Sequence, residues 1–321
     1  MNSLTVVKPR AVAAFDSRLF KGFKPETKSL ERKQDMATGR VPIAKILELW
    51  MTHEFKEKEY YEYYQTISKE LKGTEYCAKD VTEFCKHLGR LLQGDESSRR
   101  KGGLFISALI NHGADKDYEL DLTGLKPSLS GIGYKNQKNI RIRGSVDERC
   151  GEDMQTGRIF ITENATGSIG TVMKDGEIHI LGDAITPGGS GIGMSKRDGS
   201  ITVYGNANGI IGTSMAGGKI TICGNAVSAN IGELMVGGQI RIKKNASGDI
   251  ANSMRGGEII IDGDATIWNL ATSLLPGEGR IYLNGKVRLC RWQQISCADI
   301  YLSDILLVEN GQRLDMLRPN V

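Results

Sequence analysis

IGTSMAGGKITI (Ile211–Ile222) returns twenty residues later as IGELMVGGQIRI (Ile231–Ile242). Outward from this pair, short I-x-I segments recur along the chain: NIRIR, RIFIT, EIHIL, SITVY, KITIC, QIRIK, EIIID, RIYLN and DIYLS. Their leading residues are Ile140, Ile159, Ile178, Ile201, Ile220, Ile240, Ile259, Ile281 and Ile300, at steps of 19, 19, 23, 19, 20, 19, 22 and 19. Leu120 in YELDL fits one step earlier. Between the segments the chain repeats an Asn/Asp-Ala pair, then Ile-Gly, then Met, then glycine before the next segment. A fixed period of about 20 residues marks a stacked repeat and outranks any local motif.

A unit this short, with several extended pieces and no helical period, suits one coil of a parallel β-helix. Equal positions in successive coils then stack into ladders about 4.8 Å apart. Asn164, Asp183, Asn206, Asn225, Asn245 and Asp264 share one slot, and the alanines after them the next. Ile169, Ile192, Ile211, Ile231, Ile250 and Leu270 share a third. Met154, Met173, Met194, Met215, Met235 and Met254, with Leu274 after them, are assigned to a fourth. Ala, Ile, Met and both I-x-I isoleucines are expected to face inward, and the residue between the isoleucines outward. Four or five such side chains per coil, at about 1.5–3 kcal/mol each, offset much of the ordering entropy. The methionines read as packing residues, because Leu274 substitutes for one and a soft-metal site would not accept it.

This assignment also settles GGSGIGMSK (Gly188–Lys196), whose glycines resemble a phosphate-binding loop. Ile192-Gly193-Met194 takes the slots of Ile211-Gly212 and Met215, and the extra residues account for the 23-residue step. A strand rather than a helix N-terminus follows, and no G-K-[ST] ending is present, so the loop is a coil corner.

The chain divides into a basic flexible tail (1–40), an α-helical region (41–115), the β-helix (116–305, about nine or ten coils) and a C-terminal tail (306–321). The tail at the start carries nine Lys/Arg against four Asp/Glu, which leaves the remainder about −1 out of the total +4. Such an arm is usually solvated, although it could touch nucleic acid. In the helical region, one long helix is expected from Val41 toward a stop at Gly73, with Ile46, Leu49, Trp50 and His53 at helical spacing. A second is expected over Asp80–Leu92, then a loop DESSRRKGG, then a short helix Leu104–Asn111. Tyr60, Tyr61, Tyr63 and Tyr64 read as core and half-exposed residues of a small bundle, with base stacking or a partner surface as the alternative.

The six cysteines form no C-x-x-C pair or zinc spacing, which suits reduced thiols in a cytoplasmic protein. No apolar run is long enough to span a membrane. The opening MNSLTVVKPRAVAAF has too short an apolar run and too early a proline for a signal peptide, while its basic character leaves an organellar-targeting reading open.

The recurring I-G-x-x-M-x-G-G-x-I-x-I resembles the GXGXG domain over roughly residues 118–305. That domain closes the large subunit of glutamate synthase. It also forms one of the subunits of formylmethanofuran dehydrogenase and of related formyltransferase/hydrolase complexes. The resemblance implies a mainly β, right-handed parallel β-helix, and a role as structural spacer or assembly component.

No catalytic, cofactor-binding or metal-ligating residue stands out. His53 and His87 fall on expected helices, His112 in a loop, and His179 on the outward row of Arg141, Phe160, Thr202, Thr221, Arg241, Ile260, Tyr282 and Tyr301. That row reads either as a protein contact or as a face covered by the N-terminal helices. The leading expectation is a non-catalytic assembly or interaction protein with a protein partner or homo-oligomer. One alternative is a subunit of an amide- or formyl-transferring oxidoreductase complex. Another is a nucleic-acid-associated factor using residues 1–40 and the Ser97–Lys101 loop.

Overall fold

The computed structural model describes residues 41–56, 59–92, 94–272, 278–290, 298–302, 305–309 and 312–313. Among the described residues four helices precede a right-handed parallel β-helix of about nine coils. Among the described residues the nine I-x-I segments, with Asp117–Asp121 before them and two antiparallel strands after, form one sheet of twelve strands, and the Asn/Asp-Ala segments belong to a second sheet of nine.

Register follows the repeat. Ile140, Ile159, Ile178, Ile201, Ile220, Ile240, Ile259, Ile281 and Ile300 are successive partners in the long sheet. At its start, Tyr118 pairs with Ile140 and Leu120 with Ile142. Leu120 therefore belongs to the second apolar row, and Tyr118 fills the first. The third ladder begins one coil earlier than expected, because Cys150 bridges Ile169, which bridges Ile192. Among the described residues the two long-sheet rows except the half-buried Leu302 are buried, and so are Ile169, Ile192, Ile211, Ile231, Ile250 and the alanines. This is the inward set that period-2 alternation and stacking require.

The Asn/Asp slot ties coils together. Asn164 Oδ1 accepts from Asp183 N at 2.8 Å, Asp183 Oδ1 from Asn206 N at 2.7 Å, and Asn206 Oδ1 from Asn225 N at 2.9 Å. The series continues through Asn225 to Asn245, Asn245 to Asp264, and Asp264 to Lys286. A short polar side chain at a turn can satisfy a neighbouring backbone amide in this way. Asn225→Ala removes one acceptor at an exposed corner, and a loss of about 1 kcal/mol in urea unfolding is expected. An unchanged midpoint would show that water replaces the bond at no net loss.

One assignment needs correction. Met194 is not in the methionine ladder; Lys196 is. The corner amide of the ladder residue bonds to the carbonyl three residues back: Met173 N to Gly170 O, Met215 N to Gly212 O, Met235 N to Gly232 O. In the GGSGIGMSK coil the equivalent bond is Lys196 N to Gly193 O. Lys196 is fully buried, whereas Met194 is only partly so. Its Nζ donates to Gly199 O at 2.6 Å and Gly217 O at 3.1 Å. Asn136 fills the same slot in the first coil and reaches Lys138 O at 2.7 Å. The ladder thus runs Asn136, Met154, Met173, Lys196, Met215, Met235, Met254. Leu274 lies outside the described residues.

The helical region differs from expectation in two places. The long first helix is two: α1 (Val41–Thr52) and α2 (Tyr60–Glu70). Thr52 Oγ1 and His53 Nδ1 lie 2.9 Å from Glu48 O and 3.1 Å from Leu49 O, so side chains close the end of α1. Gly73, at φ +79°, turns the chain after α2. The helix α3 spans Ala78–Leu91, close to its expected range. The fourth, α4, runs Glu96–His112, so DESSRRKGG is half a helix rather than a loop, and His112 is its last residue. Asp95 caps it by accepting from Ser98 N at 2.6 Å. Its glycines allow close packing: a Cβ on Gly103 would strike Ser130 O in the first coil.

The helices close the N-terminal end of the stack. Thr82 Oγ1 on α3 donates to Glu119 O of the first strand at 2.9 Å. Ser107 Oγ on α4 donates to Gly131 O at 3.0 Å and accepts from Gly133 N at 2.9 Å. At the other end, Ile305–Glu309 and Gln312–Arg313 add antiparallel strands beyond the boundary expected at 305.

Candidate interaction faces

The outward row of the long sheet forms as read: Arg141, Phe160, His179, Thr202, Thr221, Arg241, Ile260, Tyr282 and Tyr301 are successive partners. The helices meet the stack at its end and corners, so they do not account for covering this row. Its aromatic residues are half-buried against one another. Phe160 and His179 lie 6.2 Å apart, His179 stacks on Tyr204 at 6.2 Å, and Tyr282 stacks on Tyr301 at 4.8 Å. Its charges are largely spoken for within the sheet. Arg241 forks onto Asp262 at 2.8 and 3.1 Å, Arg158 pairs with Glu177 and Arg280 with Glu258, both at 3.0 Å. His179 Nε2 sits 3.3 Å from Glu177 Oε2, and its Nδ1 is buried without a hydrogen-bond partner. The pair lies on a sheet face beside Tyr204, whose hydroxyl is pushed above the ordinary tyrosine range by burial and by the neighbouring Cys223 and Glu177.

Three of the four tyrosines are core: Tyr60, Tyr63 and Tyr64 are buried. Tyr61 is exposed and donates to Glu152 Oε1 at 3.2 Å, while Arg149 holds the same carboxylate at 3.2 and 3.3 Å. Arg149 also lies over the Tyr60 ring at 5.1 Å, and Tyr134 packs edge-on against Tyr64 at 4.9 Å. Burial pushes the Tyr60 and Tyr63 hydroxyls far above the ordinary tyrosine range. The cluster is a joint between helices and coils.

The cations of Ser97–Lys101 have partners. Arg99 pairs with Asp147 at 2.7 Å, Arg100 with Glu96, and Lys101 donates to Trp50 O at 2.8 Å with its ammonium 4.3 Å from the Trp50 ring. Arg99 ties α4 to the first coils and Lys101 ties it to α1, while Arg100 pairs within the helix. Residues 1–40, the other part of the nucleic-acid reading, lie outside the described residues.

His53 ends α1, and His87 is half-buried on α3. Cys77, Cys85, Cys150, Cys223 and Cys290 are unpaired thiols, with Cys85 and Cys150 pushed up to about 12 by burial. Cys297 lies outside the described residues. Among the described residues no group of three or more His, Cys, Asp or Glu could hold a metal ion, and no helix is long and apolar enough to cross a membrane.

The more exposed apolar surface is on the second sheet, which the repeat alone does not single out. The residue after each ladder alanine faces outward there: Thr166, Ile185, Asn208, Val227, Ser247 and Thr266. Ile185 is 43% exposed, Val227 52%, and Trp268, three residues past the last of these alanines, 48%. The signal was available in the position after Asn/Asp-Ala, where isoleucine and valine interrupt small polar residues. Scans of the chain against protein-family models and against curated proteins find no match.

Proposed function

We propose that this protein is a non-catalytic assembly component that works by presenting the flat outer faces of a rigid coil stack to other proteins. The observation that carries this reading is the set of large apolar side chains left at the surface of paired strands, Ile185, Val227 and Trp268. A face with an aromatic anchor and few charges is the kind that associates. The resemblance of the I-G-x-x-M-x-G-G repeat to the GXGXG domain supports the same role. It points to a glutamate synthase-like or formyl-transferring oxidoreductase as the enzyme assembled. A cytoplasmic setting belongs to the reading, and the unpaired thiols are consistent with it.

The test is affinity purification of the full chain from its native cells beside a Val227→Arg, Trp268→Ala variant. Both substitutions replace exposed side chains, so the fold should be kept, as circular dichroism will show. The parent is expected to retain a stoichiometric partner or its own copy, and the variant to lose it at least tenfold. A parent that comes out as a bare monomer, or a variant that keeps the complex, would count against the proposal.

A further inference from the structure

The second sheet's outward row is self-complementary, and we infer that this face binds a second copy of the same chain. The inference rests on the assembly role above and names one partner for it. Thr166, Ile185, Asn208, Val227, Ser247 and Thr266 carry no charge over six successive coils, and the row runs on into Asp147 at one end and Arg288 at the other. The long sheet, by contrast, is laced with ion pairs. A neutral row brings no like-charge repulsion when it meets itself.

Its order is symmetric about Asn208: Ile185 lies one coil below and Val227 one coil above. A two-fold axis lying in the face and running along the strands past Asn208 sets Ile185 of each copy against Val227 of the other, the reciprocal contact an isologous dimer requires. Asn208 is exposed, and at the axis it meets its own equivalent, where two side-chain amides can exchange hydrogen bonds.

The ends of the face match as well. Trp268 belongs to the coil of Ala265, three above Asn208. Three coils below is the coil of Val146, containing Glu148. The inserted loop with Pro187, Gly188 and Gly189 is exposed, and Ser190 ties it down to Glu148 Oε1 at 3.0 Å. The same axis therefore brings the Trp268 indole opposite this Ser190–Glu148 corner, whose carboxylate can accept from the indole N–H. Seven coils at about 4.8 Å, each spanning about 16 Å from its alanine to its isoleucine slot, give roughly 500 Å² per copy. That is the lower end of specific interfaces and suits a dissociation constant near micromolar rather than a permanent dimer.

Sedimentation equilibrium of the full chain at about 1–100 µM, combined with oxidation of an Asn208→Cys variant, tests the inference. The parent should pass from monomer to dimer across that range, and Val227→Arg should stay monomeric throughout. Asn208→Cys should form a disulfide-linked dimer well above the parent's background from its native thiols, while Thr266→Cys, off the axis, should not. A parent monomeric at 100 µM overturns the self-association; if it still captures a different protein, the assembly role survives without it. A parent dimer insensitive to Val227→Arg, or crosslinked equally well at Asn208 and Thr266, places the contact elsewhere and overturns the inference.

Discussion

Gly199→Ala is expected to unfold the β-helix or leave it barely stable, while Gly188→Ala in the same stretch leaves it standing. Both glycines hold left-handed backbone, at φ +78° and +61°. An alanine there costs about 1–2 kcal/mol from the strain alone. The difference lies in the surroundings. A Cβ on Gly199 would land on the Gly176 carbonyl oxygen and amide nitrogen of the coil below, backbone atoms that cannot turn aside. That oxygen already accepts from Ser200 N at 2.8 Å, so the added carbon separates two coils and breaks their ladder. The expected loss exceeds about 4 kcal/mol, a range reached by few single substitutions. At Gly188 nothing lies within 4 Å, so only the strain remains. Urea unfolding of both variants checks this, and equal losses would show that the corner glycines serve conformation alone.

The second large effect runs the other way. Lys196→Met restores the ladder on either side of Met173 and Met215 and removes a buried ammonium. Burial pushes the lysine down to about 8, with Asp198 and Asp175 opposing that shift. Below pH 8 the group is charged in both folded and unfolded chains, and the folded state carries the full desolvation penalty. Between about pH 8 and 10.5 the unfolded chain keeps the proton that the folded chain has released, so the parent gains stability as pH rises. A shift of this size corresponds to about 3 kcal/mol over the window. Against it stands the loss of the bonds to Gly199 O and Gly217 O, each worth about 1 kcal/mol. The methionine variant should therefore be about 1 kcal/mol more stable at pH 7, with the advantage shrinking toward pH 10. Taking the difference between the two proteins removes the titration of Cys85, Cys150 and the buried tyrosines, which both share. A variant less stable at pH 7 would mean that the ammonium's two carbonyl contacts outweigh its burial.

Much of this architecture was legible because a stacked coil repeats its demands. Ile220 and Ile240 must meet the same neighbours, so the same residue types return at the same spacing. The pattern misleads where a position departs from its ladder. Lys196 is hidden because Met194, two residues earlier, offers the expected side chain, and only the turn geometry shows which one enters the core. The glycines before Leu104 look like loop residues, yet they thin one side of α4 so that it can rest on Ser130. The break between α1 and α2 depends on Trp50 reaching Phe84 and Phe105 at 5.8 and 5.4 Å, which are tertiary contacts no local pattern contains. The faces are harder still. Outward residues obey no ladder rule, so the aromatic long-sheet row draws attention, although its rings are half-buried against one another. Val227 and Trp268, in the less regular second sheet, expose more apolar surface.

Hydroxyl-radical footprinting of the full chain, dilute and purified against its assembled form, tests the association reading most directly. The side chains of Trp268, Val227 and Ile185 should react readily in the dilute protein and be shielded severalfold on assembly, with Val236 on another surface unchanged. Equal reactivity at Trp268 in both states would mean that the exposed coil face is not where this protein meets anything.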